Sequence, residues 1–405
     1  MANLTYPFDP VSPEDWVLKI QKELREHSDR TTFHDSIEEL TLSITDSPKN
    51  TVEIQQVPRG QAFDTIHVEY VHDETESNRC MLLALMSGAN ALFIQSQKAN
   101  PDWKKIFEGI ETAYIQVDVL MESEQEMSHL SQQLSKDELA NLTLLITNKS
   151  EINKENHRSF FQGFPLQQCG ANSITELSFL LQEYHRHLSE GGRSEVVFSM
   201  GIGANYFVQI AKVRAFHYLI QKLNNIHQQN HAYRIIAELG WTNKSLKDPY
   251  TNLLRQTTEA MSAYAGGVHG MAIHPWDEFA AEGKEDFTLR MSLNISNLLL
   301  EEAHFDWVHD PMKGSYMVEA LTEQFIEKTW AEVQVLSKLT EKEAIERTKE
   351  KIQQSQSLQL EAFKSGSQTY IGMNAFMNAD SSKAKNWTAL PSYWGMNYMN
   401  FEIQG

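Results

Sequence analysis

The sequence predicts an α/β protein: a (β/α)8 TIM barrel with an N-terminal helical or irregular extension and a C-terminal helix plus tail. Short apolar runs recur along the chain, helical segments separate them, and the eight resulting units span roughly 250 residues, which fits a closed barrel of parallel strands. A doubly wound open sheet is the alternative. The apolar runs lie at residues 91–95, 113–120, 141–147, 163–167, 195–199, 233–239, 270–274 and 305–309.

The chain divides into an N-terminal extension (1–76), the barrel (77–340) and a C-terminal helix with an aromatic-rich tail (341–405). In the extension, residues 12–27 are expected to form an amphipathic helix, because apolar residues beginning at Trp16 recur at helical spacing. The string "TIHVEYV" is a short strand candidate in the same segment.

Amphipathic spacing and capping residues place the remaining helices between the apolar runs and after the barrel. The predicted helices cover residues 77–88, 101–110, 173–189, 204–227, 249–265, 287–303 and 340–366. The tail that follows, "LPSYWGMNYMNFEIQG", carries several aromatic residues. It is expected either to dock against another chain or to act as a strap over the chain's own barrel, and both readings stay open.

Composition excludes several classes of partner. The formal net charge is −19, so the surface repels phosphate backbones and nucleic acid is not expected as a partner. Two cysteines give neither a disulfide framework nor a zinc site, which favours a reducing cytoplasm. We expect no signal peptide and no membrane association, because the longest apolar run is far too short to span a bilayer.

Common motifs do not identify a catalytic centre. "MGIGANYF" follows a predicted strand but lacks the third glycine of a dinucleotide loop. His269, His274 and Asp277 could be drawn as a metal site, although chance proximity is the simpler reading and no metal is expected. In a barrel, the carboxyl ends of strands line the mouth. The candidates at those ends are Phe164, Pro165, Ser199, Glu238 and His274.

Four longer strings resemble the methylmalonyl-CoA mutase family. They are "YFVQIAKVRAFHYL", "DPYTNLLRQTTEAMSAYAGG", "NISNLLLEEAHFDWVHDPMKGSYMVEALTEQF" and "YIGMNAF", and the likeness covers roughly residues 77 to 378. The resemblance implies a barrel whose axial channel admits an acyl-CoA chain. It also implies adenosylcobalamin chemistry, in which the cofactor supplies the radical that isomerises methylmalonyl-CoA and succinyl-CoA.

The string "GFPLQQCGA" departs from this family. Catalytic members resemble "GYHMQEAGA" here, and the resemblance implies that their histidine hydrogen-bonds the substrate thioester. In this chain Phe164 replaces the tyrosine, Pro165 the histidine and Gln168 the glutamate. Proline has no side-chain donor. Losing one preorganised donor typically costs on the order of 3–4 kcal/mol of transition-state stabilisation.

Further departures lie at other strands of the barrel. Glu195 and Val197 stand where the family has an arginine and a serine, and Ile236 and Glu238 replace a histidine and a glutamine. His274 replaces an asparagine. An acidic Glu195 in place of a CoA-contacting arginine is expected to repel anionic groups. The vestigial pocket positions are therefore Phe164, Pro165, Gln168, Glu195, Val197, Ser199, Ile236, Glu238 and His274.

The resemblance also implies a cobalamin domain with a D-x-H-x-x-G loop, and that pattern does not occur in this sequence. The chain therefore resembles the small, non-catalytic subunit type, and it is expected to bind no cofactor by itself. Adenosylcobalamin and the chemistry would belong to a large catalytic subunit as partner. Two alternatives remain: an active subunit whose cobalamin domain is a separate chain, and a module that binds acyl-CoA.

Overall fold

A computed structural model describes residues 11–25, 32–43, 52–53, 63–147, 156–192, 195–229, 231–377 and 385–404. Its centre is a closed barrel of eight parallel strands, which confirms the predicted fold class. The barrel strands are β3 (Asp64–Val71), β4 (Ala91–Ser96), β5 (Gln116–Met121), β6 (Leu142–Ile146), β7 (His157–Gln162), β8 (Glu195–Gly201), β9 (Ala232–Leu239) and β10 (Gly270–Ile273).

Helices surround the barrel and extend past it. They are α1 (Pro13–Leu24), α2 (Glu74–Met86), α3 (Trp103–Ile106), α4 (Glu124–Gln133), α5 (Lys136–Ala140), α6 (Phe164–Gln168), α7 (Ser173–Ser189), α8 (Tyr206–Ile226), α9 (Thr251–Gly266), α10 (Asp286–Asn297), α11 (Tyr316–Leu336), α12 (Glu341–Ser365) and α13 (Phe401–Gln404). Two short hairpins complete the fold: β1 (Thr32–Asp35) with β2 (Leu40–Ser43), and β11 (Ser392–Tyr393) with β12 (Met396–Asn397).

Strand β3 closes the barrel, and it lies in the segment that the sequence analysis assigned to the N-terminal extension. It pairs with β4 on one side and with β10 on the other, where Gly270 lies opposite Asp64. Its residues are almost continuously buried, as expected for a strand covered on both faces. The barrel therefore begins before residue 77.

The strand prediction at residues 163–167 was wrong. That string forms the short helix α6, and the strand is the preceding β7. Pro165 explains the difference, because a proline fits the first turn of a helix but cannot donate a hydrogen bond inside a central strand.

The strand prediction at residues 305–309 was also wrong. The segment lies in turns between the helical stretch Leu298–Glu302 and α11, and Trp307 is 65% exposed. Trp307 and Val308 are exposed, and only Phe305 is half-buried, against the core between the strands and the helices.

The helix over residues 12–27 is present in shortened form as α1, and Ser12 caps it in a reciprocal bond with Asp15. Residues 26 and 27 lie outside the described part of the chain. Hairpin β1–β2 packs onto α11, where the Thr41 N–H donates to Gln324 Oε1 at 3.0 Å and Leu40 is buried. Hairpin β1–β2 thus belongs to the outer wall of the barrel.

Candidate functional site at the barrel mouth

The barrel axis is closed at its amino-terminal end by charged side chains. Arg234 of β9 donates to Asp118 of β5 at 2.5 Å and lies 3.5 Å from Asp64 of β3. Burial and the adjacent Asp118 carboxylate act in opposite directions on the Arg234 guanidinium, and the pKa of Arg234 is raised overall. This group forms the floor of the barrel.

An apolar layer fills the axis above the floor. Phe93 of β4 and Phe160 of β7 meet edge to face at 5.5 Å between ring centroids. Val197 and Ile236, two of the predicted pocket positions, are buried in this same layer and are part of the core. The barrel interior is therefore packed with side chains, as in most barrels of this size.

A cavity of about 620 Å³ lies above the apolar layer, at the carboxyl ends of the strands. We call it the mouth cavity. Four predicted positions line it: Phe164, Pro165, Ser199 and Glu238. The structure thus brings together residues from α6, β8 and β9 that are far apart in the sequence.

His274 lies beside the mouth cavity but is held by its neighbours. It is 2% exposed, and its Nε2 lies 3.1 Å from the Glu238 carboxylate. Its ring stacks on Phe164 at 5.1 Å and packs against Trp241 at 4.6 Å. These contacts fix the imidazole in place as part of the wall of the mouth.

Gln168 has a structural role in this arrangement. Its Oε1 accepts from the Trp241 backbone N–H at 2.9 Å, and its backbone carbonyl accepts from the Met399 backbone N–H at 2.6 Å. It therefore joins α6 to the loop after β9 and to the C-terminal tail.

Glu195 lies away from the other predicted positions. It begins β8 at the amino-terminal end of the barrel, so the whole length of the strand separates it from the mouth. Its side chain is 48% exposed and forms an ion pair with Arg158 at 2.5 Å. Arg158 compensates its charge, which weakens the repulsion of anions that the sequence led us to expect.

The tail covers the mouth of the barrel. Tyr398 packs against Phe164 and Trp241, Trp394 meets Phe179 at 4.9 Å, and the Thr388 N–H donates to the Phe279 carbonyl at 2.8 Å. Asn400 is fully buried and donates to the carbonyls of Trp241 and Lys244. Of the two expectations left open by the sequence, the described part of the tail therefore matches the second: it covers the chain's own barrel.

Several residues of the mouth cavity were not identified from the sequence. Tyr70, Gln95, Glu122 and Gln162 lie at the carboxyl ends of β3, β4, β5 and β7 or just beyond them. The signal that could have found them is a polar residue ending an apolar strand. Tyr70 and Gln162 could not be found in this way, because β3 and β7 were not recognised as barrel strands.

His269, His274 and Asp277 do not converge. His269 Nδ1 accepts from the Ile235 N–H, His274 pairs with Glu238, and Asp277 binds Lys385 and Thr288. Within the described ranges, no group of three or more histidine, cysteine, aspartate or glutamate side chains could hold a metal ion.

The strings that carry the family resemblance hold buried ion pairs. Lys212 of α8 donates to Glu176 at 2.5 Å and to the carbonyl of Gly201, which ends β8. Arg214 donates to Asp310 and to Glu319, at 2.9 Å each. These contacts tie α8 to the end of β8, to α7 and to the loop before α11.

A model of the methylmalonyl-CoA mutase family matches residues 72–392, which is most of the chain. The chain belongs to the methylmalonyl-CoA mutase family. It is 36% identical over 179 residues to the methylmalonyl-CoA mutase small subunit of Porphyromonas gingivalis, and 30% identical over 183 residues to that of Propionibacterium freudenreichii subsp. shermanii. It is also 30% identical over 230 residues to the methylmalonyl-CoA mutase of Cereibacter sphaeroides.

The alignments cover 41%, 42% and 53% of this mutase-family chain and 29%, 29% and 32% of the respective relatives. The chain therefore spans about a third of the length of the curated relatives that it matches. In the described part of the chain, no helix has the length and apolar character needed to cross a bilayer.

Proposed function

We propose that this chain is the non-catalytic small subunit of a heterodimeric, adenosylcobalamin-dependent methylmalonyl-CoA mutase. In this proposal a related large subunit carries out the methylmalonyl-CoA/succinyl-CoA isomerisation, and the present chain is its structural partner in the cytoplasm. Two of the relatives reported above are named as small subunits, which supports the assignment.

The observation that carries the proposal is Pro165 at the mouth cavity. It stands where the resemblance implies a histidine that donates to the thioester carbonyl, and its side chain has no donor. The nearby His274 does not substitute for that histidine, because Glu238, Phe164 and Trp241 hold its ring in the wall. A carbonyl placed against Pro165 would therefore develop charge without a preorganised donor at that point.

The filled barrel axis also supports the proposal. The resemblance implies a channel for the acyl-CoA chain, but Phe93 and Phe160 pack against one another across this space. Below them, Arg234 is engaged by Asp118 and Asp64. Reopening such a channel would break buried contacts and separate buried charges, which is costly.

A corrin does not fit over this mouth as the described residues stand. Tyr398 and the hairpin β11–β12 occupy the space above Phe164 and Trp241. We therefore derive no step on this chain through cobalamin, and we assign the cofactor to the partner subunit.

The residues kept in common with the family have a structural role, as a partner subunit requires. Lys212 and Arg214 in "AKVRA" and Asp310 in "DPMKGSY" are buried or partly buried ion-pair members that join α8 to its neighbours. The framework of the barrel can thus be retained while the donors of the mouth are lost.

The tail packs on the chain's own barrel, whereas helix α1 presents exposed apolar side chains that a partner could cover. On α1, Trp16 is 54% and Leu18 is 63% exposed. Exposed tryptophan is a frequent anchor at protein interfaces. We therefore assign contact with the large subunit to α1, with the exposed Trp16 as its anchor.

Co-expression with a catalytic large subunit tests the proposal. Size-exclusion chromatography with light scattering at micromolar concentration is expected to give a one-to-one complex. Trp16→Ala is expected to weaken the complex, whereas Lys19→Ala on the same helix, which removes an exposed charge, serves as the matched control. Separate elution of the two wild-type chains would count against the proposal.

Calorimetry with acyl-CoA esters separates the proposal from the binding-module alternative, because that alternative requires saturable binding heat.

A further inference from the structure

The mouth cavity has an unusual combination of wall groups. Of the residues that the structure describes, seven aromatic side chains line it, among them Tyr70, Phe164, Phe279 and Tyr398. Two carboxylates, Glu122 and Glu238, lie in the same wall. None of the described residues that line it is a lysine or an arginine. Aromatic faces and carboxylates both attract cations.

Among the described residues, Glu238 has no lysine or arginine partner, and its partner is the His274 ring at 3.1 Å. Burial, followed by the charge of Glu238, raises the pKa of the Tyr70 phenol well above its ordinary value. Lys284, which could offset this charge, is engaged by the carboxylates of Glu69 and Glu278 at 3.1 Å each. A carboxylate or phosphate entering the cavity would therefore meet like charge, whereas an ammonium group would be stabilised.

One polar group inside the cavity has no partner among the described residues. Ser199 Oγ is buried, with only 1% of the residue exposed, and it forms no hydrogen bond within that part of the chain. Buried hydroxyl groups are nearly always hydrogen-bonded in folded proteins. A hydroxyl or amine on a bound molecule would satisfy it.

The cavity is also accessible and of suitable size. Its wall includes His72, Gln97 and Glu122, which are exposed and mark an entrance at the ends of β3, β4 and β5. The opposite end is closed by Phe164, Glu238 and the tail. A volume of about 620 Å³ lies within the usual range for small-molecule sites.

We infer that the mouth cavity binds a small organic cation, an amine or quaternary ammonium compound that also carries a hydroxyl or amine for Ser199. The cationic group would lie among the aromatic rings near Glu238. This inference does not depend on the proposed subunit role, because it rests only on the groups that line the cavity.

The direct test is calorimetric titration of the full chain with choline and with its uncharged isostere, 3,3-dimethyl-1-butanol. The two molecules have nearly the same shape and share a hydroxyl, so only the charge differs. Saturable binding of choline is expected, at least about tenfold tighter than the isostere. Equal binding of both molecules, or binding of neither, would overturn the inference.

Substitution at the two carboxylates locates the site. Glu238→Gln removes the buried charge but keeps an acceptor for His274, and Glu122→Gln removes the charge at the entrance without touching the core. Glu238→Gln is expected to weaken the affinity for choline by about tenfold, and Glu122→Gln by a smaller factor. Glu361→Gln, an exposed change of the same charge on α12, is the matched control.

Circular dichroism confirms that each variant is folded, and Glu122→Gln keeps the test informative should Glu238→Gln fail to fold. Unchanged choline affinity in a folded Glu238→Gln variant would overturn the inference. Failure of the one-to-one complex with the large subunit would leave the choline result unaffected.

Discussion

Pro165 lies in the first turn of α6, where its missing N–H costs no hydrogen bond. The same residue type that fits this helix has no side-chain donor for a substrate, as the proposed non-catalytic role requires. Its neighbour Phe164 is buried and stacks on His274. The absence of a side-chain donor at this position could be predicted, because it follows from residue type alone.

Other residues could not be placed from sequence. Glu195 and Glu238 were both expected at the pocket, because each differs from the residue that the family resemblance implies. They lie at opposite ends of the barrel. Which residue of a strand reaches the mouth depends on register, and register is fixed by pairing with neighbouring strands. Only the pairing of β8 with β7 and β9 decides that Ser199 lines the cavity while Val197 lies in the core.

Arg214 is the residue whose loss should be most damaging to the framework. Arg214→Met removes the partner of Asp310 and Glu319 and leaves Glu319 buried without its cation. We expect a loss of about 3–5 kcal/mol in the free energy of unfolding, measured by urea denaturation. Arg290→Met, at an exposed site on α10, is the matched control and should change stability little. Equal effects of the two substitutions would contradict the assigned role.

His217 should make the fold sensitive to acid. Burial lowers the pKa of His217 to about 4, and its ring bridges the Tyr233 hydroxyl and the Gly267 carbonyl at 2.8 and 2.9 Å. In the unfolded chain a histidine titrates near 6.5, so between these values the unfolded state binds more protons. The stabilising contribution is therefore complete above about pH 6.5 and is lost as pH falls through 4.

From pH 8 to pH 5 this histidine alone should account for a loss of about 2 kcal/mol. The His217→Gln variant should be less stable than the wild type at pH 8. Between pH 8 and pH 5, its free energy of unfolding should fall by about 2 kcal/mol less than that of the wild type, as measured by urea unfolding. His72→Gln, at an exposed histidine, is expected to follow the wild type. Parallel curves for wild type and His217→Gln would show that His217 does not carry the effect.

At the scale of elements, helices were predicted more accurately than strands. The bounds of α7 were predicted as observed, and α8, α9 and α12 within about two residues, because their apolar spacing is long and capped. Strand β3 was predicted as a strand but was placed outside the barrel, and β7 was not predicted. In β7, "HRSFFQ" begins with polar residues and so does not read as an apolar run, whereas "GFPLQ" does. Short apolar runs do not distinguish strand from helix.

The tail is the element that determines what the mouth can accept. Its hairpin turns at Trp394 and Gly395, which both have positive φ, so the strands are joined by a tight turn that favours glycine. Composition showed only that its aromatic residues must be covered. Whether another chain or the barrel covers them depends on complementary surfaces that local sequence does not encode.

Asn400 is predicted to hold this tail in place. Asn400→Ala removes two buried hydrogen bonds to the loop after β9, to Trp241 and Lys244, and leaves their carbonyls unsatisfied. Hydrogen exchange in residues 385–404 should therefore become faster, with a local loss of about 1–3 kcal/mol, while the barrel strands keep their protection. Asn397→Ala, at an exposed position of β12, is the control. Unchanged exchange in the Asn400→Ala tail would refute the anchoring role.

At the scale of the whole molecule, the barrel combines a closed floor, a filled axis and a covered mouth. Arg234 closes the floor, Phe93 and Phe160 fill the axis, and Tyr398 lies over the mouth. The fold class was predictable because alternation of strand and helix is a property of the whole chain. The filling and covering of the barrel were not, because both depend on side chains meeting from distant segments.

The most direct test of the central claim is an isomerisation assay on reconstituted complexes. The claim is that the mouth of this barrel does not catalyse the methylmalonyl-CoA rearrangement. The complex with a wild-type large subunit is expected to turn over. A complex in which only the large subunit's catalytic histidine is replaced should assemble and lose that turnover to the level of the substituted large subunit alone. Residual activity above that level, dependent on adenosylcobalamin and abolished by substitutions at Glu238 or Ser199 of this chain, would contradict the account.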